Sequence, residues 1–593
     1  MIKALISTII CILIALIGFK IKLGKSKMIQ ECAKRLYKKR VKFFVHKTRQ
    51  EKIELLATRK YDLLIIGGGC SGAGCALDAA SRGLKVALIE SSDFGSETSS
   101  KSTKMLHGGI RYLEKAINKL SFGQLRLVLE ALSERKRVMI MAPYLTYTVR
   151  IMIPIYKKCM VPYYWFLAIL YDWLSWGHTL GRSYLISKER SNVYFRFLKN
   201  DNFKGSMVYY DGMMDDARIN VMLAMTSSFY GADCVNHMTF LEFKDHENSK
   251  KIKKILCVDN FTNKKVEISA KVVISCTGAF TNEIIKKERD NAEDVIEESA
   301  GAHMVLPPEF GPVNIGLIEM KTTDNRKIFV LPWKGQTLIG ATETKRQIKK
   351  FADPLEDDIS FLINETKQYI LKDICKSDVK SVWTAFRPLV KSNSSLRTES
   401  IIRSYNIKDN GNRVIYMYGG KWTTFRISSK ETVDLAIRNY GLEPRNGCLT
   451  EYLSILGAEK YSRDMFYEIA RSFNVEFEYA KHLLGLYGSR ALMMGKYISD
   501  YPDKLSEKYH FREGEVIYCV ENEDAMTTDG IVNIRFRVGY FDVKEAFKMC
   551  QKVDKILKKY FNWTDEEVQF NRNYTKQSLR ALGYDILCES DSV

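Results

Sequence analysis

The chain has 593 residues and a mass of 68.3 kDa, several times what one hydrophobic core serves, so at least two folding units are expected. With 46% hydrophobic and 27% charged residues it is compositionally globular, which excludes a disordered, collagenous or small disulfide-stapled chain. Its 13 cysteines are odd in number and form no CxxC pair, so neither a secreted disulfide framework nor a structural zinc site is expected, and no metal is assigned. The formal charge of +21 raises the question of nucleic acid, which depends on where that charge lies.

About half of it lies in one short arm. Ala4 to Phe19 is an uninterrupted apolar run, and Lys20 to Lys52 then carries thirteen Lys or Arg against Glu31 and Glu51. The apolar run is shorter than the roughly 20 residues that cross a bilayer upright. It reads as a membrane anchor or targeting segment with a basic flank, and residues 1–55 are set apart from the folded body. The remainder carries no basic stripe interleaved with aromatics, so nucleic acid is not an expected partner.

Tyr61 to Ile66 is a short apolar strand ending in Gly67, Gly68, Gly69, Cys70, Ser71 and Gly72, after which small residues recur at helical spacing. Gly67 permits the tight turn, Gly69 clears space for a pyrophosphate, and Gly72 lets the helix approach the strand. The helix is predicted to end at Arg82-Gly83. A second strand, Lys85 to Ile89, stops at Glu90, 18 residues after Gly72, where a carboxylate can accept hydrogen bonds from a ribose. This unit predicts an adenine dinucleotide.

Val161 to Trp176 is aromatic-rich but short, follows Val161 with Pro162, and contains Asp172. A buried helix is the preferred reading, with an amphipathic element in the membrane interface as the alternative. Further on, alternating segments at Thr239 to Phe243, Ile255 to Val258 and Val266 to Ile268 lead to a buried strand, Val272 to Ser275, and then Cys276-Thr277-Gly278. One βαβ unit completed by a strand and glycine some 200 residues later resembles the glutathione-reductase-like FAD fold. After Glu443-Pro444-Arg445-Asn446-Gly447 the pattern is helical. Ser462 is placed to cap a helix carrying Phe466, Ile469, Ala470 and Phe473, and Asp542 with Glu545 to start another.

From Ser91 to Glu114 (SSDFGSETSSKSTKMLHGGIRYLE) the sequence resembles the FAD-dependent glycerol-3-phosphate dehydrogenases. Asp215-Asp216-Ala217-Arg218, Gly301-Ala302-His303, Phe386-Arg387-Pro388-Leu389, Ile402-Arg403 and Gly419-Gly420-Lys421-Trp422 follow in matching order. The resemblance implies an α/β architecture: a glutathione-reductase-like FAD-binding domain interleaved with a mixed α+β substrate domain over 56–442, and an all-helical cap over 443–593. It implies FAD as cofactor and sn-glycerol 3-phosphate as substrate. Arg111, Tyr112, Arg403 and Lys421 would bind the phosphate, and Arg387 would assist there or steady the alkoxide.

His303 and His107 are the candidates for base, with His303 preferred and His107 an alternative that could instead orient the flavin. Gly67, Gly69, Gly72, Glu90, Ser99, Ser100, Ser102, His107, Gly108, Gly278 and Gly420 would hold the cofactor. Ubiquinone in the mitochondrial inner membrane is the expected acceptor, with oxygen, giving hydrogen peroxide, the alternative. The cap could serve dimerisation, membrane docking or closure of the site. No calcium-binding loop pattern occurs, so calcium activation is not expected.

Overall fold

The computed structural model describes residues 26–42, 44–175, 177–195, 198–199, 203–244, 252–318, 328–391 and 405–588. The apolar run Ala4 to Phe19 and Arg403 lie outside the described residues.

The strand Lys60–Ile66 has every side chain from Leu63 to Ile66 buried, which a strand achieves only when both faces of its sheet are covered. Parallel neighbours Val86–Ile89 and Lys265–Ser275 flank it. The sheet runs Tyr405–Asp409, Val414–Gly419, Lys265–Ser275, Lys60–Ile66, Val86–Ile89, Asp233–Val235. The helices Cys70–Ser81, Asp216–Phe229 and Phe425–Tyr440 pack together beside it. This is the FAD-binding fold expected from the sequence. The two segments read at Val266 to Ile268 and Val272 to Ser275 are one strand doing two jobs. Its first half pairs antiparallel with Lys253–Asp259 and is buried on alternate residues, while its second half enters the parallel sheet and is buried throughout.

A second, mixed sheet supplies the substrate side. Ser381–Phe386, Ala300–Leu306, Gln336–Gly340 and Phe329–Trp333 are neighbours at one end, and the long antiparallel pair Thr146–Ile155 and Gly205–Met214 lies at the other. Against it lies Val161–Leu174, which the sequence reading preferred as buried. The helix is two-faced instead. Leu167, Ala168 and Tyr171 face the core, whereas Trp165, Phe166, Ile169 and Trp173 are 47–63% exposed. Asp172 is half-buried and accepts from the Ser183 amide and hydroxyl at 2.6 and 2.8 Å. Trp176 lies outside the described residues. Among the described residues no helix is long and apolar enough to cross a membrane.

The C-terminal unit is helical, as expected. Asp542 does accept from the Glu545 amide at 3.1 Å at the start of Val543–Phe561, but the Glu545 side chain takes the Ser506 hydroxyl rather than closing the box. The helix expected to be capped by Ser462 starts later, at Met465, with Asp464 in the cap position.

The boundary expected at residue 55 falls inside a helix, Arg49–Thr58. Ile53 and Leu56 are buried against the first sheet. Three residues of the basic flank have partners in the folded body: Lys47 bonds Asp233 at 2.5 Å, Arg49 bonds Asp259 at 2.5 Å, and the buried Lys52 bonds Asp524 at 2.6 Å. The preceding helix, 26–42, packs Ala33, Leu36 and Tyr37 on the same body. Three cations at the end of the arm are thus paired with carboxylates far away in sequence.

Candidate active site

One cavity of about 1310 Å³ joins the two sheets, larger than the roughly 300–1,000 Å³ of a single small-ligand pocket. Its first end is the glycine turn. Gly67 has φ +103°, and a Cβ there would meet the Cys276 carbonyl oxygen at 2.6 Å. A Cβ on Gly72 would lie 1.8 Å from the Gly67 oxygen, so strand and helix touch only because this residue is glycine. Gly69 is the N-cap of Cys70–Ser81 and faces the cavity, where the helix's first amides lack intrahelical acceptors. Glu90 accepts from the Gly68 amide at 2.6 Å and the Ser92 amide at 2.8 Å, and burial raises its pKa despite those bonds. Gly278 and Gly420 both line the cavity with positive φ; a Cβ would meet open space at Gly278 and only the Tyr405 Cβ, at 3.7 Å, at Gly420. A cradle shaped by missing side chains, with amides at one end, fits an extended dinucleotide.

Ser99, Ser102 and Thr103 line the wall. Ser99 takes the Cys70 amide on its hydroxyl at 3.0 Å. Ser100 and Gly108, expected on the cofactor, do not line the cavity. The Ser100 hydroxyl turns inward to the Ser96 and Glu97 carbonyls and Tyr540. Gly108 is packed so tightly that a Cβ would sit 2.2 Å from the Tyr171 hydroxyl and 2.6 Å from Arg135. Its absent side chain makes room for protein rather than for a ligand.

The cations expected at the substrate do converge. Arg111, Arg387 and Lys421 all line this cavity, with Tyr112 beside them. Burial lowers the pKa of Arg111, and the charge of Arg387 adds to it. Arg387 donates to the Thr342 carbonyl at 2.8 Å and lies 3.4 Å from Glu343. Lys421 donates to the Tyr112 hydroxyl oxygen and sits over its ring at 4.1 Å, which leaves the hydroxyl proton of Tyr112 to point elsewhere. Burial raises the Tyr112 pKa, but Lys421 outweighs it and the net shift is downward, making that proton a better donor.

The two histidines differ in their surroundings. His303 stacks on Trp383 at 5.5 Å and shares a hydrogen bond between Nε2 and the Thr103 hydroxyl at 2.9 Å. Burial, then the charges of Lys104 and Arg387, push it well below the usual histidine range. His107 donates Nδ1–H to Asp211 at 2.7 Å. Asp211 also accepts from the Gly108 amide and from Arg135, both at 2.8 Å. Burial would raise Asp211, yet His107 and Arg135 hold it below the ordinary carboxylate range. An ionised acceptor keeps a proton on Nδ1, which leaves Nε2 as the nitrogen open to a proton, and this buried atom has no partner among the described residues.

Asp211 was missed in the sequence. The signal existed: a carboxylate inside the apolar strand Gly205–Met214 has to be paired or it would not be buried.

Residues 62–435 match the family profile described as FAD dependent oxidoreductase, and residues 448–568 that of the C-terminal domain of alpha-glycerophosphate oxidase. The sequence is 38% identical to a probable glycerol-3-phosphate dehydrogenase of Encephalitozoon cuniculi (strain GB-M1), over 91% of this chain and 89% of that one. It is 36% identical to the mitochondrial glycerol-3-phosphate dehydrogenase of Homo sapiens, over 87% of this chain and 73% of that one. A solved glycerol-3-phosphate dehydrogenase from Bacillus halodurans complexed with FAD has a TM-score of 0.73 at 24% identity, covering 90% of this chain and 97% of that one, and so supports the fold. The glycine cradle, the two-sheet body with its helical C-terminal unit, and identity sustained along nine-tenths of the sequence make this chain a member of the FAD-dependent glycerol-3-phosphate dehydrogenases.

Proposed function

We propose that the enzyme binds sn-glycerol 3-phosphate with its phosphate toward Arg111, Arg387 and Lys421, oxidises it to dihydroxyacetone phosphate, and passes the electrons to ubiquinone at the mitochondrial inner membrane. The observation that carries the substrate is the meeting of three cations and a polarised tyrosine on the cavity that also holds the glycine cradle. A phosphate of about −1.5 to −2 charge is matched by guanidinium forks and an ammonium through short charge-assisted bonds. Arg403, expected to join this set, lies outside the described residues.

Bound FAD supplies a hydride acceptor. The protein's part is to hold the alcohol so that its carbinol hydrogen faces the cradle, and to take the hydroxyl proton. His107 Nε2 is suited to that proton because Asp211 fixes the tautomer and is placed to pair with the charge that forms, and no described residue bonds this nitrogen. His303, kept neutral by its cationic neighbours, then serves with Thr103 as a polar wall. Arg387 is placed to steady negative charge on the substrate oxygen as the proton leaves. The C–H electron pair departs as hydride, the O–H pair becomes the carbonyl, and the proton ends on His107.

Membrane association is supported by the exposed face of Val161–Leu174. Tryptophan and phenylalanine at this density favour the boundary between headgroup and acyl chain. The adjoining helix Ile110–Asn118 leads into a turn where Leu120 and Phe122 are also exposed. Several relatives are named as mitochondrial enzymes. Peroxide release decides between acceptors. Substrate oxidation by the membrane-bound enzyme is expected to depend on added quinone and to yield little peroxide; one peroxide per substrate in the absence of quinone would replace this reading with an oxidase.

A further inference from the structure

The loop that lines the cavity at Ser99 to Thr103 is irregular, with Ser100 and Lys101 buried and the rest half-buried, so its carbonyl groups cannot rely on regular secondary structure for partners. Three of them are taken by side chains from other parts of the fold. The Ser99 oxygen accepts from the Trp422 indole at 2.9 Å, and the Lys101 oxygen from the Trp383 indole at 3.2 Å. The Ser100 oxygen between them accepts two charged donors, Lys104 at 2.7 Å and Arg537 at 2.6 Å. Arg537 belongs to the C-terminal helical unit.

The same two cations meet again on Asp216. Lys104 reaches one of its oxygens at 2.8 Å and Arg537 the other at 3.3 Å, while Ser102 binds it through both amide and hydroxyl. Arg537, Lys104 and Asp216 are all inaccessible to solvent. Tyr540, one turn later, touches the Ser100 hydroxyl at 3.3 Å and lies under the Arg537 guanidinium at 3.8 Å. Its ring packs on Trp383 at 5.0 Å, and Trp383 is the surface on which His303 stacks.

The backbone that delivers these side chains is unusual. Gly530–Arg535 is a single π-helical turn, and Arg537 follows in the left-handed region with φ +70°, a conformation uncommon outside glycine. Just before it, Arg535 bonds Asp93 at 2.5 Å, beside the Glu90 loop.

We propose that Arg537 and Tyr540 are positioning residues of the dehydrogenase site: a strut from the C-terminal unit that fixes the Ser100–Thr103 turn directly and the His303 ring through Trp383. Neither touches the cavity. This gives the C-terminal unit a part in building the active site, beside the dimerisation, membrane docking or closure expected from the sequence. It rests on Thr103 and His303 facing the substrate, as proposed above.

Arg537→Met removes the bonds to Ser100 and Asp216, and a third to the Asn533 carbonyl, while keeping an unbranched side chain; Arg537→Lys keeps a cationic donor without the planar fork; Tyr540→Phe removes only the hydroxyl. With FAD stoichiometrically bound, kcat of Arg537→Met is expected to fall about 10- to 100-fold, as for a displaced catalytic wall, with KM within about twofold. The lysine variant should recover part of that loss, Tyr540→Phe should lose a few-fold, and the flavin absorption envelope of Arg537→Met should shift. Arg580→Gln, on an exposed surface of the same unit, should match the parent. If Arg537→Met does not fold, the lysine and phenylalanine variants carry the test. Parental kcat in both of these, or loss of activity in strict proportion to lost FAD, would overturn the strut. A parental KM for substrate in Arg387→Gln would instead sink the pocket reading on which it stands.

Discussion

His107 and His303 stand in the same cavity, but their neighbours give them different chemistry. Each ring has one buried nitrogen without a partner among the described residues, so what separates them is where the charge of a captured proton would go. At His107 Asp211 accepts it; at His303 Lys104 and Arg387 oppose it. Replacing His107 by Gln is expected to slow anaerobic flavin reduction by about 10²–10⁴-fold, with cofactor still bound. His303→Gln should lose less, because only a hydrogen bond and a stacking surface are removed. The reverse order in stopped-flow reduction would return the base to His303. Residue types and their order along the chain were enough to bring both histidines to the site. They placed His303 first, the reverse of the order proposed here, because the deciding partners, Asp211 and Lys104, come from a strand and a loop whose side-chain directions sequence spacing does not reveal.

The glycine turn was legible as an element because each of its constraints is local: a tight turn, a clear approach and a close helix are all set within a few residues. The basic arm was not. Its lysines and arginines look alike whether they face water or a carboxylate, and Asp233, Asp259 and Asp524 lie roughly 190 to 470 residues away. Asp524 gives the arm a pH dependence. Burial would raise its pKa, but Lys52 and then His46 hold it far below the ordinary 3.8. A carboxylate whose folded pKa is depressed contributes stability that is present above the unfolded value and lost as pH falls toward the folded one. Hydrogen exchange over residues 44–58 should therefore rise as pH drops below about 3.8. At neutral pH Asp524→Ala should loosen the same segment, since removing the carboxylate leaves the Lys52 charge buried without its partner, at a cost of about 3–5 kcal/mol. An arm equally protected in the variant and the parent would contradict this.

At the scale of the whole molecule, the active site is assembled from three sources: the parallel sheet supplies the cradle, the mixed sheet supplies His107, His303 and Arg387, and the C-terminal unit braces the loop between them. Buried ion pairs join the last of these to the body, Arg218 to Glu523 at 2.5 Å and Arg535 to Asp93 at 2.5 Å. The interleaving of the first two was legible in the order of the sequence blocks; the bracing was not, since Arg537 lies far along the chain from Ser100 and carries no motif of its own. All of this converges on one claim, that a cluster of fixed cations selects a phosphorylated alcohol at the flavin. Anaerobic titration of the FAD-loaded enzyme tests it most directly. sn-Glycerol 3-phosphate should bleach the flavin while glycerol leaves it oxidised, and Arg387→Gln or Lys421→Met should raise the required concentration about tenfold or more. Equal bleaching by glycerol, or cation variants that titrate like the parent, would contradict the account.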